Sequence, residues 1–398
     1  MPFVQPAPRL GNQYEEDRVL RSSLRRILPA EVLKDVEPTL ATMGELAAGE
    51  LFELQQADRL NEPVHTPWDP WGERIDHIEV TPLWKRAQQV TAEHGVVATG
   101  YERKHGRFSR LHQFSLAYLF SPSTDLYGCP LAMTDGATNA LLKSGNRKLA
   151  DRAVPHLTSR DPATFWTSGQ WMTESIGGSD AGQSQTVARR GDDGRWRLFG
   201  HKSFVSAATA QMALTLARPD GNGPGGRGLA LFYLETRDDR GRPQGLVFHR
   251  LKDKLGTRKV PTAEVELVGA VAEPVVGLAD GTKAISPMLN ISRTWNTMFA
   301  VATMRRSVAL ARAYAPLRTA FGALLSEKPL HVDTLAGIQA ETEGAFHLFF
   351  LVLELLGQSD AGELDDAGTS LLRLATSLAK LTTGKQVVAV ASEAMECF

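Results

Sequence analysis

The hydrophobic period of this 398-residue chain changes twice, and that order restricts the fold more than any other feature. From Glu16 to about Phe165 apolar residues recur at helical spacing. Val19, Leu20, Leu24, Ile27 and Leu28 make one stripe, and Leu46 to Leu60 suggests a second helix. Pro63, Pro67 and Pro70 interrupt the pattern, which predicts a loop anchored to the body by Trp68 and Trp71. Helical spacing resumes from Pro82 to Phe120, stops at Pro122, and resumes where Thr134-Asp135-Gly136 is expected to open a short helix. Near Trp166 the period becomes that of strands: Trp196–Phe199, Met212–Leu216, Leu229–Leu234, Leu246–Phe248 and Val265–Leu267 are short apolar or alternating runs separated by Gly/Pro/Asp turns. After Gly281 long helical segments return. These blocks predict an α+β multidomain protein, with an N-terminal helical domain over 1–165, a middle β-barrel or sandwich over 166–275 and a C-terminal helical bundle over 276–398. The amphipathic stripe of Leu371, Leu374, Leu378 and Leu381 continues to Phe398 without a capping glycine or polar tail, so the bundle is expected to be truncated in this chain.

Composition narrows the function classes. A formal charge of -1 gives no whole-chain attraction to nucleic acid or to an anionic membrane. Cys129 and Cys397 are the only cysteines, too few for a disulfide framework or a cysteine-rich zinc site, and a reducing cytoplasm is the expected home. The most apolar run, Ala345 to Leu356, contains His347 and Glu354 and is too short to span a bilayer, so no membrane partner is expected.

Two neighbouring segments carry chemistry. Met172-Thr173-Glu174-Ser175-Ile176-Gly177-Gly178-Ser179-Asp180 places hydroxyls and backbone amides on one turn, and Gly200-His201-Lys202-Ser203-Phe204-Val205-Ser206 is an apolar strand ending in a hydroxyl. A polar cradle beside a flat apolar wall suits an isoalloxazine ring, which has polar atoms at one edge and an apolar face. By residue type alone the first segment is equally ordinary turn chemistry.

The first segment resembles the Met-Thr-Glu-x-x-Gly-Ser-Asp signature of the acyl-CoA dehydrogenase family, and Gly200 to Ser206 resembles the strand that follows it there. Leu251-Lys-Asp-Lys-Leu-Gly256-Thr-Arg258, running into Ala263 to Leu267, resembles the next signature, and Arg318-Thr-Ala-Phe321-Gly322 resembles Arg-x-x-Phe-Gly. The four stand in the family's order. Gly177-Gly178, the Leu-Lys-Asp-Lys-Leu-Gly wording and the Pro/Trp-rich stretch from Asn61 to Arg74 resemble the AidB-like branch. The resemblance implies FAD as cofactor. Thr173 would bond the flavin edge, Gln170, Trp171, Met172 and Gly178 would line that side, and Ser179 would contact flavin or acyl-CoA. Phe204, Val205 and Ser206 would pack along the other side of the ring. Arg318 would meet the cofactor pyrophosphate, on a neighbouring subunit of a homo-tetramer, or be a solvated helix charge.

The implied reaction is α,β-dehydrogenation of an acyl-CoA thioester, with electrons passed to an electron-transfer acceptor. The alternative is a DNA-associated alkylation-response flavoprotein whose dehydrogenase activity is incidental. The catalytic base is not assigned: in Leu289-Asn-Ile-Ser292-Arg293, Ser292 stands where the family's first-helix glutamate would be, and the family's other position would fall beyond Phe398. Arg293 matches the family's arginine, or is a buried helix charge. Cys129 to Thr134 resembles the acyl-pocket segment, or is core. Arg103 to Arg110 is the densest basic patch and could meet DNA or CoA phosphates, or form a solvated helix end. His65, His77 and His112 have no metal-ligand spacing.

Overall fold

The computed structural model describes residues 4–238 and 240–398. In chain order the elements begin with helices α1 (Arg18–Ile27), α2 (Ala30–Ala48) and α3 (Glu50–Ala57) and the strands β1 (Val64–Trp68) and β2 (Arg74–Glu79). Helices α4 (Pro82–Glu93), α5 (Ala98–Glu102), α6 (Ser109–Phe120), α7 (Gly128–Lys143) and α8 (Arg147–Leu157) follow. Then come β3 (Ser168–Trp171), β4 (Val187–Arg190), β5 (Trp196–Val205), β6 (Met212–Pro219), β7 (Ala230–Glu235), β8 (Leu246–Leu251) and β9 (Ala263–Pro274). The chain closes with α9 (Gly281–Ala284), α10 (Ser286–Tyr314), the short strands β10 (Thr319–Ala320) and β11 (Ala323–Leu324), α11 (Pro329–Ala361) and α12 (Asp366–Glu396). The elements form two compact units, one of residues 4–56, 99–124 and 293–398, the other of 57–98 and 125–292.

In the second unit β6 pairs with β4, β4 with β5, β5 with β9, β9 with β7, and β7 returns to β6, so the sheet closes into a barrel. β3 lies parallel to β6 and β8 antiparallel to β9. Both faces of β6 and β7 are buried, which is why they read as unbroken apolar runs. Ala213, Ala217, Ala230, Phe232 and Leu234 pack in one core with Trp171, Leu198, Val205 and Val265. Met212, Leu214, Leu216, Leu231 and Tyr233 pack in another with Ala137 and Leu141 of α7 and Leu149 and Ala153 of α8. Alternation along each strand sends neighbours to opposite cores.

Two local expectations fail in this unit. The Pro/Trp-rich stretch is a β1–β2 hairpin rather than a loop, and Trp71 anchors nothing: it is 91% exposed. Pro67 has no amide hydrogen to give a ladder, and the register slips between Thr66 and Trp68, so only a two-stranded ribbon forms. Thr134-Asp135-Gly136 does not open a helix but lies inside α7. Gly136 is there for close packing, since a Cβ on it would stand 2.7 Å from Met288 Cγ. Thr134 Oγ1 donates to Pro130 O at 2.7 Å and accepts from Ser168 N at 3.0 Å, tying α7 to β3.

The other unit is helical. Every residue of α6 is buried, with α2 and α11 among the elements packed on it. The α11–α12 seam is formed not by the Leu371/Leu374/Leu378 stripe but by smaller residues. Ala375 and Ala379 are buried with Val352 and Leu355, whereas Leu371, Leu374, Leu378 and Leu381 are about half exposed. Small side chains let two long helices approach more closely than leucines do. Among the described residues no helix is long and apolar enough to cross a membrane.

Candidate active site

The cradle is built on a buried ion pair that the sequence reading did not single out. β3 delivers Trp171 into the barrel core, where it is 1% exposed and its carbonyl accepts from Thr215 Oγ1 at 2.6 Å. The chain then turns outward, with Met172 and Thr173 half-buried and Glu174 buried again. The Glu174 carboxylate accepts from Lys202 Nζ at 2.8 Å, Gln185 N at 2.7 Å, Thr186 Oγ1 at 2.6 Å and Ser184 Oγ. Burial pushes this carboxyl up, but the Lys202 charge and these donors outweigh it and hold the group down at about 2. Lys202 is fully buried and gives a second bond, 2.9 Å, to Leu216 O. Burial lowers its ammonium against the opposing pull of Glu174.

This knot fixes the turn. Gly177 N donates to Glu174 O at 2.9 Å and Ser203 N to Thr173 O at 3.0 Å, joining the turn to the end of β5. Gly178 lies against Thr173: a Cβ there would stand 2.6 Å from Thr173 Oγ1. Ser175 to Asp180 are all exposed. Among the described residues the Thr173 and Ser179 hydroxyls have no hydrogen-bond partner in the protein.

The wall comes from a register slip. In the pairing of β5 with β9, the ladder shifts between Lys202 and Val205. Lys202 and Val205 are therefore both buried although they are three positions apart, which regular alternation would send to opposite faces, and Phe204 is turned out and 50% exposed. Lys252 Nζ sits over the Phe204 ring, 4.2 Å from its centre, and bonds Glu264 at 2.8 Å, covering one face of the ring. Ser206 is half-buried, with Oγ 3.3 Å from Thr262 Oγ1.

The structure thus brings Met172, Thr173, Gly178, Ser179, Phe204 and Ser206 to one lip of the barrel. Trp171 and Val205 adjoin them in the chain, but their side chains belong to the barrel core, so only their backbone is available to a ligand. Gln170 Nε2 bonds Met172 Sδ at 3.4 Å, and its Oε1 stands 3.5 Å from Ser292 Oγ. Ser292 donates to Met288 O at 3.0 Å. Cys129 to Thr134 lie in α7, and burial pushes the Cys129 thiol up to about 11, so it is no nucleophile near neutral pH. Arg318 belongs to the other unit, where its carbonyl accepts from Leu325 N at 2.9 Å just before the hairpin that exposes Phe321 fully.

In the Arg103–Arg110 patch Arg103, Lys104 and Arg107 are exposed just beyond α5, as a solvated helix end requires, and Arg110 alone of its arginines is buried. Arg110 is buried against Asp360 at 2.6 Å, Arg107 meets Glu363 at 3.1 Å and Lys104 meets Asp35 at 2.6 Å. Among the described residues no cluster of His, Cys, Asp and Glu could hold a metal ion. A cleft of about 590 Å³ lies elsewhere on the barrel between Trp196, Tyr233 and Glu273; of the cations lining it, Lys148 and Arg152 are paired with Glu273, and Arg195 also lines it.

The residues of the lip fit a flavin. A half-exposed aromatic ring stands at the end of β5, which bonds Thr173, and a Cβ that would crowd Thr173 is missing at Gly178. The barrel carrying this lip is flanked in sequence by helical segments. Residues 5–162 match the adaptive response protein AidB N-terminal domain, 169–269 the acyl-CoA dehydrogenase middle domain and 279–398 the acyl-CoA dehydrogenase C-terminal domain. Acyl-CoA dehydrogenase family member 11 of Caenorhabditis elegans is 44% identical over 405 residues, covering 100% of this chain and 66% of the relative. The putative acyl-CoA dehydrogenase AidB of Escherichia coli (strain K12) is 31% identical over 410 residues, covering 99% and 72%. The crystal structure of C. elegans ACDH-11 in complex with C11-CoA superposes with a TM-score of 0.96 at 43% identity, covering 100% of this chain and 68% of that one. The chain belongs to the acyl-CoA dehydrogenase family and has its fold. It spans about two thirds of the length of these relatives.

Proposed function

We propose that this chain carries the flavin-binding part of an FAD-dependent acyl-CoA dehydrogenase that removes hydrogen from the α and β carbons of an acyl-CoA thioester. The observation that carries this reading is the barrel lip, where Phe204 is displayed by the β5 register slip beside the free hydroxyls of Thr173 and Ser179. FAD, when bound, supplies the acceptor for the hydride from the β-carbon. Thr173 and Ser206 would donate to the flavin's polar edge, Ser179 would bond flavin or thioester substrate, and Phe204 would shield one side of the ring from water. Met172 adds apolar surface next to Thr173, and Gln170 reaches both Met172 and Ser292. Hydroxyl donors aimed at atoms that gain electron density in the reaction favour the transition state over the ground state.

The α-proton has to leave to a carboxylate. Ser292 cannot take it: its hydroxyl is given to Met288 O, and the Met288–Met298 stretch contains no His or Lys to activate it. Ser292 is therefore not the base.

ACDH-11 was crystallised with C11-CoA, which makes that thioester the first substrate to test. The proposal extends to an electron-transfer acceptor, to a homo-tetramer in which Arg318 addresses a neighbour's pyrophosphate, and to a reducing cytoplasm, which the unpaired Cys129 and Cys397 fit. A DNA-associated role gains nothing from the basic patch, whose Lys104, Arg107 and Arg110 are all paired with carboxylates.

The test is reconstitution with FAD followed by titration with acyl-CoAs, C11-CoA included. Flavin absorbance that bleaches anaerobically with a thioester supports the reading. Absence of any flavin uptake from excess FAD overturns it.

A further inference from the structure

Two lysines two residues apart do different work. Lys252 lies over Phe204 and pairs with Glu264, whereas Lys254 pairs with no carboxylate among the described residues. Its ammonium gives its three hydrogens to Thr257 O at 2.7 Å, Val260 O at 2.8 Å and Thr262 Oγ1 at 3.0 Å. An ammonium only donates, so Thr262 Oγ1 must be an acceptor there and its own hydrogen must go elsewhere. Two acceptors are in reach: Ser206 Oγ at 3.3 Å and Val260 O at 3.4 Å. Ser206 Oγ is the nearer of the two, and Val260 O is already shared with Lys254. If Ser206 Oγ accepts from Thr262, the Ser206 hydrogen is left to point out of the protein.

The backbone holds the same arrangement. Ala207, just after Ser206, has φ of 51°, a left-handed conformation unusual for alanine, and Ala208 N bonds Pro261 O at 2.9 Å. The turn that ends β5 is thus clamped to the 260–262 segment by a backbone bond as well as by the Thr262 hydroxyl. Burial lowers the Lys254 ammonium, as expected of a cation without a carboxylate partner.

We propose that Lys254 is a positioning residue which, acting through Thr262, fixes the Ser206 hydroxyl as a hydrogen-bond donor toward the flavin. The relay Lys254 to Thr262 to Ser206 gives the hydroxyl a direction before any ligand arrives, and its terminal cation polarises each bond toward the site. A preset donor near a flavin favours the reduced, more electron-rich state over the oxidised one. The inference rests on the flavin reading of the lip.

The experiment uses the full chain reconstituted with FAD, with Lys254→Met, Thr262→Val, Ser206→Ala and the Ser206→Ala/Lys254→Met pair. FAD affinity is read by fluorescence titration and the flavin midpoint potential by spectroelectrochemistry. Thr262→Val keeps the side-chain shape and both carbonyl bonds of Lys254, so it tests the relay even if Lys254→Met loosens the loop. Lys254→Met, Thr262→Val and Ser206→Ala should each weaken FAD binding about tenfold, the order of one lost hydrogen bond, and lower the potential. The double variant should match Ser206→Ala alone, because both changes cut one chain. Additive effects in the double variant, or an unchanged potential in Thr262→Val, would overturn the relay while leaving the flavin reading intact. A wild-type chain that takes up no FAD would overturn both.

Discussion

Glu174→Gln tests how the cradle is held. The carboxyl's ordinary value is 4.5 and its folded value about 2. A depressed carboxyl contributes stability that is fully present above the unfolded value and is lost as pH falls through the folded one. At pH 7 the shift corresponds to about 3 kcal/mol, and by pH 3 to roughly 1 to 1.5 kcal/mol. The substitution also strands Lys202, which is fully buried and keeps only Leu216 O, and breaking one side of a buried pair costs about 3 to 5 kcal/mol. Equilibrium urea unfolding of wild type and Glu174→Gln at pH 7 and pH 3 should show a gap of about 3 to 5 kcal/mol that shrinks by about half at the lower pH. Glu174→Gln/Lys202→Met removes both charges and should recover part of the loss at pH 7. A gap below about 1 kcal/mol at pH 7, or one that stays constant down to pH 3, would refute the argument that this pair carries the turn.

Three further outcomes follow from the same geometry. Thr173→Val should weaken FAD retention about tenfold with little change in melting temperature, because the hydroxyl has no partner in the protein to lose; titration and thermal unfolding check the two halves. Gly178→Ala should lower FAD affinity much as Thr173→Val does, since its new Cβ would stand 2.6 Å from Thr173 Oγ1 and turn that side chain away, while the exposed turn still folds. Trp171→Ala should do the reverse, costing about 3 to 5 kcal/mol in urea unfolding through a barrel cavity while folded protein still takes up FAD.

The order of helical, strand and helical blocks was legible because periodicity is a local property, and the lip residues were legible because their wording resembles a family signature. What stayed hidden depends on residues far apart in sequence. Glu174 and Lys202 are 28 positions apart, and either alone reads as an ordinary surface charge; only barrel closure makes them one buried pair. Trp171 and Val205 read as cofactor neighbours, but β3 alternation and the β5 register slip decide which side chains face out, and a slip leaves no composition signal. Trp71 reads as an anchor from its aromatic size, yet it is exposed, because size alone does not decide burial. Leu371 and its i+3/i+4 partners form a true helical stripe, yet Ala375 and Ala379 win the contact with α11, since helix approach distance cannot be read from one helix alone.

The lip gets its precision from the core behind it. Trp171 and Val205, the last residues of β3 and β5, are immobilised by barrel packing, and Thr173, Phe204 and Ser206 each lie within two residues of one of these anchors. Exposed polar groups cost little to leave unpaired in water, so evenly solvated hydroxyls alone would say little about function. Here, however, Glu174 and Lys202 are buried at real desolvation cost, and the bonds around them fix the backbone of a turn that is itself exposed. A fold needing only stability could replace such a pair with apolar residues at no loss. A buried pair under an exposed turn is explained if the turn's hydroxyls must hold one geometry for a ligand, the same requirement that the Lys254–Thr262–Ser206 chain meets.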